Sequence, residues 1–160
     1  MNEPTEKFSE IVREYCTWSE SLPLAEIEEV KKAISLLVNI YAGVLAIPND
    51  NNVEDIDGYD VSDEEWKIVF KRFGALPFNF YAEFYSPYKG LNEEPSFGDL
   101  ADDLADIYRD LKEGLALYDD GHVSNAFWQW RYSFSIHWGR HAANALSALH
   151  AYANDHGIDI

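Results

Sequence analysis

The feature that most constrains the fold is a long apolar and aromatic run near the C-terminus, covering residues 126–152. Its apolar residues follow helical spacing and cover nearly every side of the predicted helix. Such a helix must be enclosed by the rest of the chain, so a polar side chain on its inner face needs a partner or a function. Two histidines and one arginine meet that condition: His137, His141 and Arg131.

Helical periodicity also occurs in four earlier segments. They cover residues 5–20, residues 24–46, a shorter stretch that begins at Ser62, and residues 99–120. Ser62 and Glu65 have the spacing of a capping box, and Ser96 or Asp99 is placed to cap the fourth helix. Strand-like alternation is confined to residues 78–85, for which no partner strand is recognisable. The sequence therefore predicts an all-α, single-domain bundle of about five helices over residues 1–160, with the long C-terminal helix at its centre.

The chain is strongly acidic along its whole length. It contains 12 basic and 29 acidic residues, which gives a formal net charge of −17. Such a surface repels nucleic acids and anionic lipids, because binding their phosphates requires lysine and arginine. We therefore expect no nucleic acid and no membrane as partner, and the charge favours a basic protein.

The cysteine content and the apolar stretches indicate a cellular compartment. A single cysteine, Cys16, excludes an internal disulfide framework and fits a reducing environment. The N-terminus lacks the pattern of a signal peptide, and the longest apolar stretch, residues 33–47, is too short to cross a bilayer. These observations predict a cytoplasmic protein in which Cys16 is a packed core thiol.

The predicted fourth helix carries many aspartates opposite its leucine-rich stripe. They are Asp99, Asp102, Asp103, Asp106 and Asp110. Aspartate is a poor residue for the middle of a helix, and like charges four residues apart repel each other. Other groups must therefore offset the lost helix stability, and Asp103 and Asp110, at the border of the apolar stripe, are best placed to turn inward.

The C-terminal helix offers partners for these carboxylates. A short turn joins the two helices, so they should pack antiparallel. Counting back from the turn places Asp110 level with Arg131, Asp103 level with His137 and Trp138, and Asp99 level with His141. The sequence thus predicts one polar cluster that contains Asp103, Asp106, Asp110, Arg131, His137 and His141.

Two interpretations of this cluster stay open. In the first, the carboxylates satisfy the arginine and both imidazoles, and the cluster is structural. In the second, His137 and His141 chelate one metal ion, with Asp103 or Asp99 completing the shell. The Glu-x-x-His motif of di-iron bundles is absent, as are serine-nucleophile motifs, phosphate-binding loops and CxxC pairs. We expect no organic cofactor.

A second candidate site comes from the aromatic residues. Seven of them crowd the irregular segment 73–88, which Pro77 and Pro87 interrupt. These rings either plug one end of the bundle or line a cleft, in which tyrosine hydroxyls would orient a ligand. The candidate cleft residues are Tyr81, Tyr85, Trp130 and Trp138.

Three sequence blocks carry a resemblance to a known family. They are DLADDLADIYRDL at residues 99–111, FWQWRYSF at residues 127–134 and HWGRHA at residues 137–142. The chain resembles the bacterial family of unknown function DUF5063, and a looser similarity around Cys16 and Pro87 extends the match over most of its length. The resemblance implies a small, largely helical bacterial protein and provides no activity to transfer.

Three functions fit these patterns. The first, which the charge favours, is a non-catalytic binding or protein-interaction domain. The second is a metal-dependent hydrolase or related enzyme that uses His137, His141 and Asp103, with Asp99 or Asp106. The third is an immunity-type inhibitor, an acidic decoy that blocks a basic toxin or nucleic-acid-binding protein.

Overall fold

The computed structural model describes residues 3–49, 53–89 and 92–160, with side chains described from residue 6 onward. These residues form α1 (Glu3–Glu20), α2 (Glu26–Ala46), α3 (Asp63–Phe73), β1 (Phe80–Glu83), β2 (Ser96–Asp99), α4 (Leu100–Asp119), α5 (Val123–Ser133), a π-helical segment (Phe134–Trp138) and α6 (Gly139–Asp155). The last three follow one another without a break and together form the long C-terminal helix. The predicted all-α bundle is confirmed.

Two of the helices begin at polar caps that the sequence predicts. Ser62 accepts a hydrogen bond from the backbone N–H of Glu65, whose side chain accepts one from the backbone N–H of Ser62, so α3 starts with a complete capping box. Asp99 caps α4 by accepting hydrogen bonds from the backbone N–H groups of Ala101 and Asp102.

A small antiparallel hairpin differs from the prediction. The strand candidate at residues 78–85 does have a partner, because β1 pairs with β2 in a register that sets Tyr81 opposite Gly98. The partner strand was missed because it is only four residues long and leads directly into α4. Opposite residues of an antiparallel pair point to the same face, and a Cβ at Gly98 would lie 2.3 Å from Cζ of Tyr81. The glycine therefore makes room for the Tyr81 ring.

Helix α4 is packed on several sides at once. It contacts α1, α3, α5 and α6, and its apolar stripe is fully buried. Cys16 of α1 lies in this core, where burial raises the pKa of its thiol to about 12. The thiol is thus protonated and inert, as expected for a core cysteine. Within the described residues no helix combines the length and the apolar character needed to span a membrane.

Candidate functional site

A cluster of carboxylates and imidazoles lies where α4 faces the end of the π-helical segment and the first turn of α6. Helix α4 contributes Asp103, Asp106 and Asp110, whose spacing of three and four residues puts them on one face. The opposite wall contributes His137 and His141, whose ring centroids are 4.8 Å apart. The structure therefore brings together five of the six residues that the sequence placed in the polar cluster.

Each imidazole has its Nδ1 atom held by a carboxylate of α4. Nδ1 of His137 lies 2.7 Å from Asp110 Oδ2, and Nδ1 of His141 lies 2.6 Å from Asp103 Oδ1. The second oxygen of Asp103 accepts a short hydrogen bond from the Tyr81 hydroxyl. These contacts fix the orientation of both rings and the position of the Nδ1 proton.

The Nε2 atoms of the two histidines both point to the remaining carboxylate, Asp106. Its Oδ2 atom is 3.6 Å from Nε2 of His137 and 3.8 Å from Nε2 of His141. Its Oδ1 atom accepts a hydrogen bond of 2.9 Å from the indole N–H of Trp66 on α3. One ligand atom from each of the three residues lies within 4.8 Å of the others.

The cluster is sheltered and still reachable from solvent. The side chain of Asp106 is 16% exposed, that of His141 25% and that of His137 40%. The nearby carboxylate of Asp106 and the hydrogen bond to Asp110 raise the pKa of His137 to about 10. Burial opposes the charged form of His141, but the hydrogen bond to Asp103 and the negative charges of Asp103 and Asp106 together outweigh it and raise the pKa of His141.

The pKa of Asp106 shifts in the opposite direction to those of the two histidines. Burial disfavours its charged form, yet the nearby imidazoles of His137 and His141 and the hydrogen bond from Trp66 together outweigh this effect and lower its pKa. Asp106 is therefore ionised at neutral pH, with both Nε2 atoms directed at it. Such an arrangement can hold either two protons or one cation between the rings and the carboxylate.

The π-helical turn helps to set the position of His137. The backbone N–H of Gly139 donates to the carbonyl of Phe134, five residues earlier. A Cβ at Gly139 would lie 2.4 Å from that carbonyl oxygen, so the wider turn requires glycine at this position. Single π turns inside α-helices occur frequently at functional sites.

Arg131 lies outside the cluster, which corrects the predicted pairing with Asp110. Its guanidinium donates to the carbonyl oxygens of Val44 and Ile47, at 3.2 and 2.8 Å. Both carbonyls belong to the C-terminal end of α2, where the last turn leaves acceptors without partners inside the helix. Arg131 therefore caps the C-terminus of α2, and the partial negative charge at that end of the helix favours a cation there.

The predicted aromatic cleft is only partly formed by the residues named for it. Trp130 and Trp138 are fully buried, and their indole N–H groups donate to backbone carbonyls. Tyr85 is exposed and stacks under the guanidinium of Arg140, with 4.3 Å between them. Tyr81 lines a cavity of about 500 Å³ between the β1 segment and α6. The two tryptophans are core residues because helical spacing turns both toward the interior.

Two contacts of the site were not predicted from the sequence. Helical spacing places Trp66 on the apolar face of α3 and gives no indication that its indole N–H reaches Asp106. The metal-site interpretation has Asp103 or Asp99 complete the shell, and Asp106 enters only as an alternative in the enzyme hypothesis. The geometry instead puts Asp106 nearest both Nε2 atoms and leaves Asp103 behind His141. The three- and four-residue spacing of the aspartates on α4 was the available signal for Asp106.

Comparisons with known proteins identify a structure of similar fold and the family to which the chain belongs. The structure is similar to the crystal structure of protein BF1032 from Bacteroides fragilis, with a TM-score of 0.76 and 18% sequence identity over 95% of this chain and 96% of that chain. At this identity the similarity shows the fold alone. A comparison with curated proteins finds no significant match. Residues 1–155 match the family described as "Domain of unknown function (DUF5063)", and the chain belongs to that family.

Proposed function

We propose that this protein binds a divalent transition-metal ion through His137, His141 and Asp106. One observation carries the proposal: two Nε2 atoms converge on one carboxylate oxygen, at 3.6 and 3.8 Å. A tetrahedral ion with bonds of about 2.0–2.1 Å holds its ligand atoms roughly 3.3 Å apart. The distances from Asp106 to the two Nε2 atoms would therefore shorten by only a few tenths of an ångström around an ion. The ligand atoms of the two histidines, which lie within 4.8 Å of each other, would have to approach by up to roughly 1.5 Å.

The hydrogen bonds behind the three ligands support this assignment. Histidines that bind a metal through one ring nitrogen usually donate the other N–H to a carboxylate or carbonyl, which fixes the tautomer and the ring. Asp110 and Asp103 accept from Nδ1 of His137 and His141 in this way. Trp66 holds the far oxygen of Asp106 and leaves the near one facing the imidazoles.

The ligand set favours a catalytic type of site over a structural one. Two imidazoles and one carboxylate suit zinc or ferrous iron, whereas calcium and magnesium prefer oxygen ligands alone. Structural zinc sites normally close with four protein ligands. The group of ligand residues found within the described chain contains three, so positions are left for a water molecule or a substrate. A bound ion of this kind makes its water acidic and polarises a substrate oxygen.

A metal titration with matched variants tests the proposal. Protein freed of metal with a chelator is titrated with Co²⁺, followed by its visible spectrum, and with Zn²⁺ by calorimetry. We expect one equivalent to bind, and His141→Ala and Asp106→Asn to remove binding. His150→Ala, an exposed histidine on the same helix, is the control and should bind as the unchanged protein does. Failure to bind one equivalent, or binding that survives both substitutions, would overturn the proposal.

A further inference from the structure

We propose that the cavity beside β1 binds an organic cation, at a site separate from the metal ligands. The cavity has a volume of about 500 Å³, which is within the range of small-molecule sites. It lies between β1 and the segment after it on one side and α6 on the other. None of His137, His141 and Asp106 lines it, so occupation of this cavity does not require a bound metal.

Aromatic rings form much of the cavity wall. They belong to Phe78, Tyr81, Phe84 and Tyr152. The small residues Ala148 and Ala151 of α6, on the same helix as Tyr152, also line the cavity. The face of an aromatic ring carries partial negative charge and attracts a cation that is placed over it. Several rings around one space are therefore suited to an ammonium group that carries apolar substituents.

The charge of the cavity has the sign that a cation requires. Among the described residues that line it, Glu83 is the one charged side chain. Its Oε2 atom accepts a hydrogen bond of 2.6 Å from Asn144, which holds the carboxylate against α6. Asp103 lies directly behind Tyr81, and the net charge of −17 draws cations toward the whole protein. The charge among the residues that line the cavity therefore disfavours an anionic ligand.

Arg140 opposes this preference from outside the cavity. Its Nη2 atom lies 3.4 Å from Glu83 Oε1, and its guanidinium is stacked on Tyr85, so part of the charge of Glu83 is already balanced. The side chain of Arg140 is 41% exposed, which leaves it solvated and its interaction screened. Substitutions of Glu83 and Arg140 should consequently change the affinity for a cation in opposite directions.

The experiment compares three probes that share a benzyl group. Benzyltrimethylammonium, neutral benzyl alcohol and anionic phenylacetate are titrated by NMR into protein that is kept metal-free with a chelator. We expect the cation to bind most tightly and phenylacetate least. Removal of one cation–π contact by Phe84→Ala should weaken cation binding about two- to fivefold. Tyr88→Ala, which removes an exposed neighbouring ring that does not line the cavity, is the matched control.

The two charge variants decide between a cation site and a merely apolar cavity. Glu83→Gln should weaken binding of benzyltrimethylammonium, and Arg140→Gln should strengthen it, while binding of benzyl alcohol stays unchanged in both. Equal affinity for the cation and the alcohol, no binding of the cation, or no opposite effect of the two substitutions would overturn the inference. Because every titration contains a chelator, these results are independent of the outcome of the metal titration.

Discussion

Replacing Gly139 with alanine tests whether the π turn positions the histidine pair. The new Cβ would lie 2.4 Å from the carbonyl oxygen of Phe134 and 2.8 Å from its ring. The oxygen belongs to the backbone and cannot rotate away. To escape the contact, the turn must open further or revert to a regular α-helix, which would rotate α5 against α6 by about 100°. Trp130, before the turn, and Trp138, its last residue, are both fully buried and oppose that rotation.

The size of the effect follows from three contributions. Forcing a group into a packed region costs about 1–3 kcal/mol, and this contact belongs at the upper end because a backbone atom is involved. Loss of the hydrogen bond from Gly139 to Phe134 costs about 1 kcal/mol. Alanine returns about 1 kcal/mol through its better helix propensity. We expect Gly139→Ala to lower the free energy of unfolding by about 2–3 kcal/mol.

Metal affinity should fall together with stability, because His137 lies within the turn. We expect a loss of about 10- to 100-fold, the range found when groups that orient a metal ligand are removed. Urea unfolding followed by tryptophan fluorescence measures the stability, and a Co²⁺ titration measures the affinity. Gly58→Ala is the control, because a Cβ there meets nothing within 4 Å. Equal stability and equal Co²⁺ affinity in the two variants would refute the role assigned to the π turn.

Four further predictions follow from the same contacts. Asp110→Asn removes no ligand but should weaken Zn²⁺ binding about 10- to 100-fold, measured by competition with a chromophoric chelator. The pKa of His137 is about 10 in the folded protein and about 6.5 when unfolded. Its contribution to the stability of the metal-free protein should therefore be complete below about pH 6.5 and lost as the pH rises through 10. The difference between the urea midpoints of the unchanged protein and His137→Gln, measured at each pH, reports this contribution. Zn²⁺ binding near pH 7 should release the Nε2 proton of His137, together with any proton held on Nε2 of His141, whose pKa is also raised; calorimetry in buffers of different ionisation enthalpy detects the release. Gly114→Ala puts a Cβ 2.3 Å from the indole nitrogen of Trp130 and should destabilise the protein by about 2 kcal/mol in urea unfolding, without a specific change in proton release.

The sequence predicts which faces of α4 and the C-terminal helix meet. The pairs of residues obtained by counting back from the connecting turn, however, differ from the pairs that are in contact. Asp110 was placed opposite Arg131 and Asp103 opposite His137, whereas they contact His137 and His141 respectively. Side chains lean toward the N-terminus of their own helix. In this antiparallel pair the side chains of α4 therefore lean away from the connecting turn, and those of the C-terminal helix lean toward it. A given residue of α4 thus meets a residue that comes later in the C-terminal helix than the count from the turn gives. The π turn takes up about one additional residue. Both effects act in the same direction, and a count from the connecting turn includes neither.

The helix pattern could not identify the partners of Arg131 or Trp66. Periodicity reports which side of its helix a residue occupies, and both residues do face other parts of the protein. The acceptors for Arg131 lie at residues 44 and 47, more than 80 positions away, and the acceptor for Trp66 lies on α4. The sequence around Arg131 does not tell whether its guanidinium binds a carboxylate or the C-terminal carbonyls of a helix, because both are hydrogen-bond acceptors with negative charge. Only the packing of the helices decides between them.

The aspartates on α4 remain the strongest reason to consider a metal. Each of the three now has a partner, so the cost in helix propensity is offset by hydrogen bonds: Asp103 to His141, Asp110 to His137 and Asp106 to Trp66. With both imidazoles doubly protonated, two positive charges face three carboxylates; with neutral imidazoles and one divalent ion, the same two positive charges are present. A divalent ion can therefore replace two protons without a change in net charge, and the raised pKa values of both histidines favour protonated imidazoles in the metal-free site. A stable network and a metal site are consequently compatible states of one arrangement, and a rigid metal-free cluster is no argument against metal binding.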